Sequence, residues 1–355
     1  MASKPETVLL TGATGSLGSS ILPHLLSSGY SVLVVLRSIQ KSAPFLTQKY
    51  QQHVSANTLK FVQIPDLSAQ GIFDDLAKKV DAIIHVATPL STSPSADEDF
   101  ETTMIKPTWE IDLNILTAAQ KSEGKVKRVI ICSSIVTVIN IAVDVAKDQV
   151  FGENDYNTIG LEAARGSLGG AYMYSKTQAE KKGWAFMKEQ ERNGEELGFD
   201  LVTLCAPALT GRCIQEGFVP TKDALGGNGM VYREIFDRGP DEGEGFMFPY
   251  IMDFDDVAKI HIKALDRRVA SGRYIFHIKE LVTARMMARK IREEFPELRD
   301  RVAEPKEEGD GLMSPLCRFD TEKADKAFGT EWMGWWESIR GAVEDILEYE
   351  KKSGQ

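Results

Sequence analysis

Tyr172 and Lys176 stand four residues apart in the run Ala171-Tyr172-Met173-Tyr174-Ser175-Lys176-Thr177. On a helix that spacing puts both on one face with their heads adjacent. A free phenol titrates near about 10, too high to exchange protons readily at neutral pH, and a neighbouring ammonium favours the phenolate. The pair therefore suits general acid catalysis. Ser134, which closes Cys132-Ser133-Ser134, offers a hydroxyl that can bind a substrate oxygen beside the phenol. Tyr174 competes for the role of acid, but Gln178, four residues on, supplies no charge. Taken alone, Tyr-x-x-x-Lys is a common chance match and more often marks an ordinary pair on a helix surface.

The elements that must position this chemistry begin with Thr11-Gly12-Ala13-Thr14-Gly15-Ser16-Leu17-Gly18, between the apolar run Val8-Leu9-Leu10 and a helix-like segment from Ser19 to Ser28. Gly12 allows a tight turn, Gly15 lets a pyrophosphate approach the backbone, and Gly18 lets helix and strand pack closely. The helix start offers free N–H groups and a positive dipole end to phosphate, with Thr14, Ser16 and Leu17 among the residues facing it. Loops without ligands also contain glycine, so the flanking strand and helix carry much of the weight. Short β-branched runs then alternate with helix-like segments: Thr7 to Leu10, Ser31 to Leu36, Leu59 to Ile64, Ala82 to Ala87, Arg128 to Ser133 and Asp200 to Cys205. Each is apolar nearly throughout, as strands covered on both faces by helices should be. The pattern predicts an α/β fold built on a doubly wound parallel sheet, with its ligand crevice at the strands' C-terminal ends.

The residues just after each run are therefore the ones to inspect. After the second run, Arg37-Ser38-Ile39-Gln40-Lys41 lacks the acidic residue that would bind the ribose hydroxyls of NAD. Arg37, with Lys41, offers cationic donors to a 2′-phosphate and favours NADP(H), unless this is simply a solvated basic turn. After the third, Asp66 and Leu67 could hold the edge and face of an adenine. After the fourth, Ala87 and Thr88 are small enough for close approach, and Ser133 follows the fifth.

Composition bounds the partners. The chain of 355 residues has 42 basic and 52 acidic side chains, a net charge of −10 that disfavours nucleic acid and anionic membranes. Any anionic ligand must be met by local positive charge. Cys132, Cys205, Cys213 and Cys317 are scattered, as are the five histidines, so no metal is expected; Cys132 and Cys205 read as buried fillers. Lys4 and Glu6 lead straight into the first strand, which argues against a cleaved signal peptide, and the apolar stretch Ile135 to Ala146 is too short to span a bilayer. A cytoplasmic protein is expected. From Arg212 to Pro249 the chain is rich in glycine and reads as mobile loops over the cleft, or as ordinary surface loop. Phe246, Met247, Phe248 and Tyr250 could line an apolar pocket or serve the core. The last helix, with Trp335, Trp336, Ile339, Val343, Ile346 and Leu347, has the spacing of a segment packed on the domain.

Together, Thr11-Gly12-x-x-Gly15-x-x-Gly18, Asp66-Leu67, Ser134 and Tyr172-x-x-x-Lys176 resemble the extended branch of the short-chain dehydrogenase/reductase superfamily. His85-Val86-Ala87-Thr88-Pro89 and the Arg37 to Lys41 turn are similar to its dihydroflavonol-reductase-like carbonyl reductases, including fungal ketone and methylglyoxal reductases. Phe254-Asp255-Asp256-Val257-Ala258-x-x-His261, Phe295-Pro296-Glu297-Leu298 and Phe319-Asp320-x-x-Lys323-Ala324 extend the likeness over nearly the whole chain. The resemblance implies that Tyr172 donates the proton, Lys176 lowers its pKa and holds the nicotinamide ribose, and Ser134 positions the carbonyl oxygen, with hydride from NADPH. Pro207 would contact the nicotinamide, although Cys205-Ala206-Pro207 departs from the family's usual Asn-Pro by one place. Trp109 stands where relatives tend to have a small residue.

The implied division is a Rossmann domain of residues 1–208 plus about 250–279, and a substrate lobe of about 209–249 and 280–355. The expected activity is NADPH-dependent reduction of an aldehyde or ketone by a monomer or homodimer. The alternatives are an NAD-dependent sugar-nucleotide epimerase or dehydratase, a hydroxysteroid dehydrogenase, and a non-catalytic NADP-sensing regulator.

Overall fold

The computed structural model describes residues 6–90, 99–194, 197–220 and 225–354; Lys4 lies outside them. The strands are β1 (Thr7–Thr11), β2 (Ser31–Leu36), β3 (Leu59–Gln63), β4 (Ala82–His85), β5 (Arg128–Ser134), β6 (Val150–Phe151), β7 (Asp200–Ala206), β8 (Ala208–Thr210), β9 (Ile251–Asp253), β10 (Gly272–Ile275) and β11 (Arg318–Phe319). Seven of them form one sheet in the order β10-β7-β5-β4-β1-β2-β3. Every pairing in it is parallel. β8 pairs with β9 and β6 with β11 in two small additional sheets.

The six apolar runs are strands for the reason their composition suggests. Successive side chains point to opposite faces. Val8, Leu10, Ile84, Ile130, Val202 and Leu204 enter one core, whereas Leu9, Ile83, Val129, Ile131 and Leu201 enter the other. Both faces are covered by helices, so neither residue set can be polar. The helices that matter for the site are α1 (Ser16–Ser27), α2 (Ile39–Lys49), α3 (Lys106–Lys121), α4 (Leu168–Arg192), α5 (Gly227–Val231), α6 (Phe254–Lys263), α7 (Ala284–Glu294) and α8 (Trp335–Ser353). Chain order reverses between β1 and β4, which opens the crevice where ligands of such sheets bind.

Several expectations need correction. β1 runs through Thr11 and α1 starts at Ser16, three residues before the predicted Ser19. A seventh strand, β10, extends the sheet beside β7. The glycine-rich Gly226 to Gly229 stretch is no open loop: α5 packs so tightly on β8 that a Cβ on Gly227 would stand 2.1 Å from the Leu209 carbonyl oxygen. Asn228, fully buried, ties it down by accepting from Gly211 N at 3.1 Å and donating to Gly211 O at 2.6 Å. Met247 and Tyr250 belong to the core, while Phe246 is exposed. The last helix packs as its spacing requires, with Ile339, Val343 and Ile346 fully buried. Trp109 has a definite place: its ring, on α3, lies 4.9 Å under the Lys182 ammonium of α4, a cation–π contact joining the two helices.

Candidate active site

The turn after β1 is shaped by two contacts that a side chain would destroy. Gly12 has φ +78°, and a Cβ there would stand 2.8 Å from Ala87 N at the end of β4. A Cβ on Gly18 would stand 2.0 Å from the Gly12 carbonyl oxygen. The turn is thus wedged into the switch point, with α1 pressed against it. Gly15 caps α1 without any side-chain hydrogen bond, and no acidic residue occupies the first helical turn. The first N–H groups of the helix and its positive end are left for an anion. Beneath the turn, Thr11 Oγ1 meets His85 Nδ1 at 2.6 Å, and His85 Nε2 meets Asp112 Oδ1 at 3.2 Å, a buried chain that pins the ends of β1 and β4 to α3.

A second positive feature flanks the first. Ser38 caps α2 by accepting from Lys41 N at 3.3 Å, which places Lys41 in the first turn of that helix just after Arg37. A cation there opposes the helix dipole, an arrangement that costs stability unless an anion visits. Neither Arg37 nor Lys41 has a side-chain partner among the described residues, and both border the cleft. Asp66 does not join them. Its Oδ1 accepts from Ser68 N at 2.9 Å and Ser68 Oγ at 2.6 Å, and those bonds lower its pKa. Leu67 does lie on the cleft wall.

The proton-handling residues come from β5 and α4. Ser167 caps α4 by accepting from Gly170 N at 3.0 Å. Tyr172, Lys176 and Glu180 then follow at four-residue intervals on one stripe. Ser134, at the end of β5, places its hydroxyl close enough to the Tyr172 phenol to lower its pKa. Lys176 Nζ donates to the Cys132 carbonyl oxygen at 2.8 Å. Burial pushes the Tyr172 phenol above its ordinary value, further than Lys176 and the Ser134 hydroxyl bring it down. The sequence predicted the lysine's effect and missed the larger opposing one. Tyr174 is absent from the cleft wall and packs with Met104 and Ile105.

Ser133 and Cys132 also differ from expectation. Ser133 borders the cleft, but its hydroxyl donates to Glu180 Oε2 at 3.0 Å, so its proton is already committed. Cys132 is only in part a core filler: it packs against the core but also forms part of the cleft wall, and burial pushes its thiol up to about 11, which leaves it unreactive at neutral pH. Glu180 was not singled out in the sequence, yet it is the centre of a buried node. It accepts from Arg273 Nε at 2.8 Å and from Thr203 Oγ1 at 2.6 Å. Burial alone would raise its pKa, but Arg273 and the surrounding hydroxyls more than offset that and hold it below the ordinary value.

Glycine turn, cation pair and proton-handling residues all border a single cleft of about 990 Å³. Gly12, Thr14, Gly15, Ser16, Leu17, Gly18, Ala87, Thr88 and Pro207 line it as well. Among the described lining residues the charged ones are Arg37, Lys41 and Lys176, and no carboxylate is present. The wall near Ser134 and Tyr172 is apolar, made by Ile135, Val136, Ile141, Met173, Met230 and Phe248. No helix among the described residues is long and apolar enough to cross a membrane. No group of three or more potential ligands for a metal ion occurs among them either.

These features have counterparts in known proteins. Residues 8–197 match the model of the NAD dependent epimerase/dehydratase family. The ketoreductase azaE of Aspergillus niger is 27% identical over 353 residues, covering 98% of this chain and 99% of that one. The NADPH-dependent methylglyoxal reductase GRE2 of Saccharomyces cerevisiae is 25% identical over 352 residues, covering 97% and 99%. The crystal structure of yeast methylglyoxal/isovaleraldehyde reductase Gre2 complexed with NADPH has the same fold, with a TM-score of 0.84 at 24% identity over 97% of this chain and 99% of that one. A parallel sheet with its switch point at the glycine turn, a Tyr-x-x-x-Lys stripe facing that turn, and a family match across most of the Rossmann core lead to one assignment: the chain belongs to the NAD dependent epimerase/dehydratase family, the extended branch of the short-chain dehydrogenases/reductases.

Proposed function

We propose that this protein reduces an uncharged, largely apolar ketone or aldehyde to the alcohol, using NADPH. One observation carries the reading: a glycine turn fit for a diphosphate, an unpaired Arg37 and Lys41 fit for a 2′-phosphate, and the Ser134–Tyr172–Lys176 group share one cleft. Gly12, Thr14, Gly15, Ser16, Leu17 and Gly18 would hold the diphosphate, Leu67 the adenine, and Ala87, Thr88, Ser133, Lys176 and Pro207 the nicotinamide half. When bound there, NADPH supplies a hydride. The chain's own residues handle everything else. Ser134 and Tyr172 donate hydrogen bonds to the carbonyl oxygen, which polarises the carbonyl, and Tyr172 gives up its proton as negative charge develops on that oxygen. Lys176, fixed by the Cys132 carbonyl, favours the phenolate left behind.

The names of the relatives, a ketoreductase and an NADPH-dependent methylglyoxal reductase, support the same chemistry. A sugar-nucleotide substrate would bring a second diphosphate, and among the described residues the wall around Ile141, Met230 and Phe248 supplies no cation to meet it. The reading divides the chain into a cofactor domain of residues 1–208 plus about 250–279 and a substrate lobe of about 209–249 and 280–355. It places the enzyme in the cytoplasm as a monomer or homodimer, with no nucleic-acid or membrane partner.

The test is the fall in NADPH absorbance with a panel of aryl and alkyl ketones and aldehydes, alongside keto acids of similar size. Turnover of the neutral compounds and little of the keto acids is expected; no oxidation of NADPH by any of them would end the proposal. Cofactor choice is tested separately. Arg37→Ala should raise the Kd for NADPH about 10- to 100-fold, the effect of losing a charge-assisted hydrogen bond, and leave the Kd for NADH nearly unchanged. Equal effects on the two would remove Arg37 from the 2′-phosphate site.

A further inference from the structure

The chain after β8 crosses from the substrate side of the molecule to the glycine turn. Arg212 Nη1 meets Asp345 Oδ1 of α8 at 2.9 Å, its other nitrogen pairs with Glu344, and Cys213 N donates to Asp345 Oδ2 at 2.6 Å. On the opposite side, Lys49 of α2 donates to the Ile214 carbonyl oxygen at 2.8 Å. Between these anchors Gln215 Nε2 donates to Ser16 Oγ at 3.0 Å, joining residues 199 apart in sequence. Ser16 is the first residue of α1 and borders the cleft at the place where the helix N–H groups are free.

That contact is the only one the Ser16 hydroxyl makes among the described residues. Because Gln215 donates to the oxygen, the hydroxyl's own proton is left to be donated elsewhere. The other end of the amide, Gln215 Oε1, is buried and has no partner among the described residues. Beside it lies a separate cavity of about 120 Å³, with Thr14, Ser42, Lys49 and Gln215 among its lining residues. Gln215 Oε1 only accepts, so it is the Nε2 end of the amide, through the Ser16 hydroxyl, that faces the anion site.

We propose that Arg212–Glu216 is a clasp over the diphosphate end of the cofactor, and that Gln215 is a cofactor-positioning residue that turns the Ser16 hydroxyl toward a phosphate oxygen. The inference rests on reading this cleft as the NADPH site. It gives the substrate side of the molecule a direct hold on the dinucleotide, through a residue that no glycine-turn pattern contains.

The test compares Kd values for NADPH, NADH and adenosine 2′-monophosphate, which carries neither phosphate of the diphosphate bridge. Gln215→Leu should weaken NADPH and NADH by the same factor, about tenfold for one hydrogen bond to a charged group, and leave the monophosphate unaffected. Ser16→Ala should cause the same loss, and the double variant should lose no more than either single one, since both remove one interaction. Wild-type affinity in Gln215→Leu, additive losses in the double variant, or equal weakening of the monophosphate would each overturn the clasp. Failure of the wild-type protein to bind NADPH would instead overturn the cofactor assignment, so the two failures are distinguishable.

Discussion

Tyr172→Phe is expected to lower kcat for ketone reduction about 10²- to 10⁴-fold, the usual worth of a positioned general acid, while NADPH binds as before. The substitution keeps the ring, which packs beside Met104, Ile105 and Ala171, and removes a single O–H. Ser134 would still donate to the carbonyl oxygen, so a residual rate should persist. The pH profile follows from the phenol's environment. Reduction needs the protonated form, and burial raises the pKa of Tyr172 above the ordinary value of about 10. In the free enzyme kcat/KM for reduction should therefore hold level through neutrality and fall only at strongly alkaline pH. Alcohol oxidation, which needs the phenolate, should rise over that same range. Lys176→Met should move both limbs to still higher pH, because the charge favouring the phenolate is gone. A Tyr172→Phe enzyme with wild-type turnover would remove this residue from the acid's role.

Arg273→Met should cost about 3 to 5 kcal/mol of folding stability, the penalty for leaving one member of a buried ion pair alone. The Arg273 and Glu180 side chains are only 6% and 2% exposed and meet at 2.8 Å. The guanidinium also holds Thr137 Oγ1 at 3.2 Å and the Asp155 carbonyl oxygen at 2.8 Å, and it lies 3.9 Å from the centre of the Tyr156 ring. Glu180 in turn holds Ser133, the neighbour of Ser134. Its pKa is lowered in the folded state, so its contribution is complete above the unfolded value of about 4.3 and is lost as pH falls through the lower folded value. Without Arg273, burial raises the pKa of Glu180, and protonation then relieves the variant. The stability gap between wild type and Arg273→Met should narrow as pH falls from 7 to 5. Adding Glu180→Leu should recover most of the loss, since an apolar pair of similar bulk avoids the stranded charge. Urea denaturation at the two pH values measures all three effects, and a single variant within about 1 kcal/mol of wild type at pH 7 would contradict the account.

The six strands between residues 7 and 206 were legible because burial on both faces demands continuous apolar runs, and the cation pair was legible because β2 is followed by Arg37 where an acid is common. Other features depend on contacts that local pattern does not carry. Asp66 follows β3 at the right place, and Ser68, two residues on, engages one of its two carboxylate oxygens. Gly227 was read as a sign of looseness, whereas it permits the closest helix–strand approach around β8. The Tyr172–Lys176 spacing located the acid and its neighbour, yet the pKa depends on burial by chain segments far away in sequence. Gln215 and Ser16, 199 residues apart, and Arg273 and Glu180, 93 apart, meet only once the chain has folded. A four-residue interval from Lys176 to Glu180 was a usable hint of a shared stripe; nothing comparable marked Gln215.

The separation of the apolar wall from the proton-handling residues has a consequence for how this enzyme can change. Ser134, Tyr172 and Lys176 are locked to the central sheet and its longest helix, whereas Ile141, Met230 and Phe248 come from segments outside that sheet. Substitution at those three alters the shape offered to a new compound without disturbing the reaction performed on it. Selection can therefore retune preference and stereochemical outcome while inheriting the same chemistry intact, and a laboratory seeking a different chiral alcohol would begin at the same three positions.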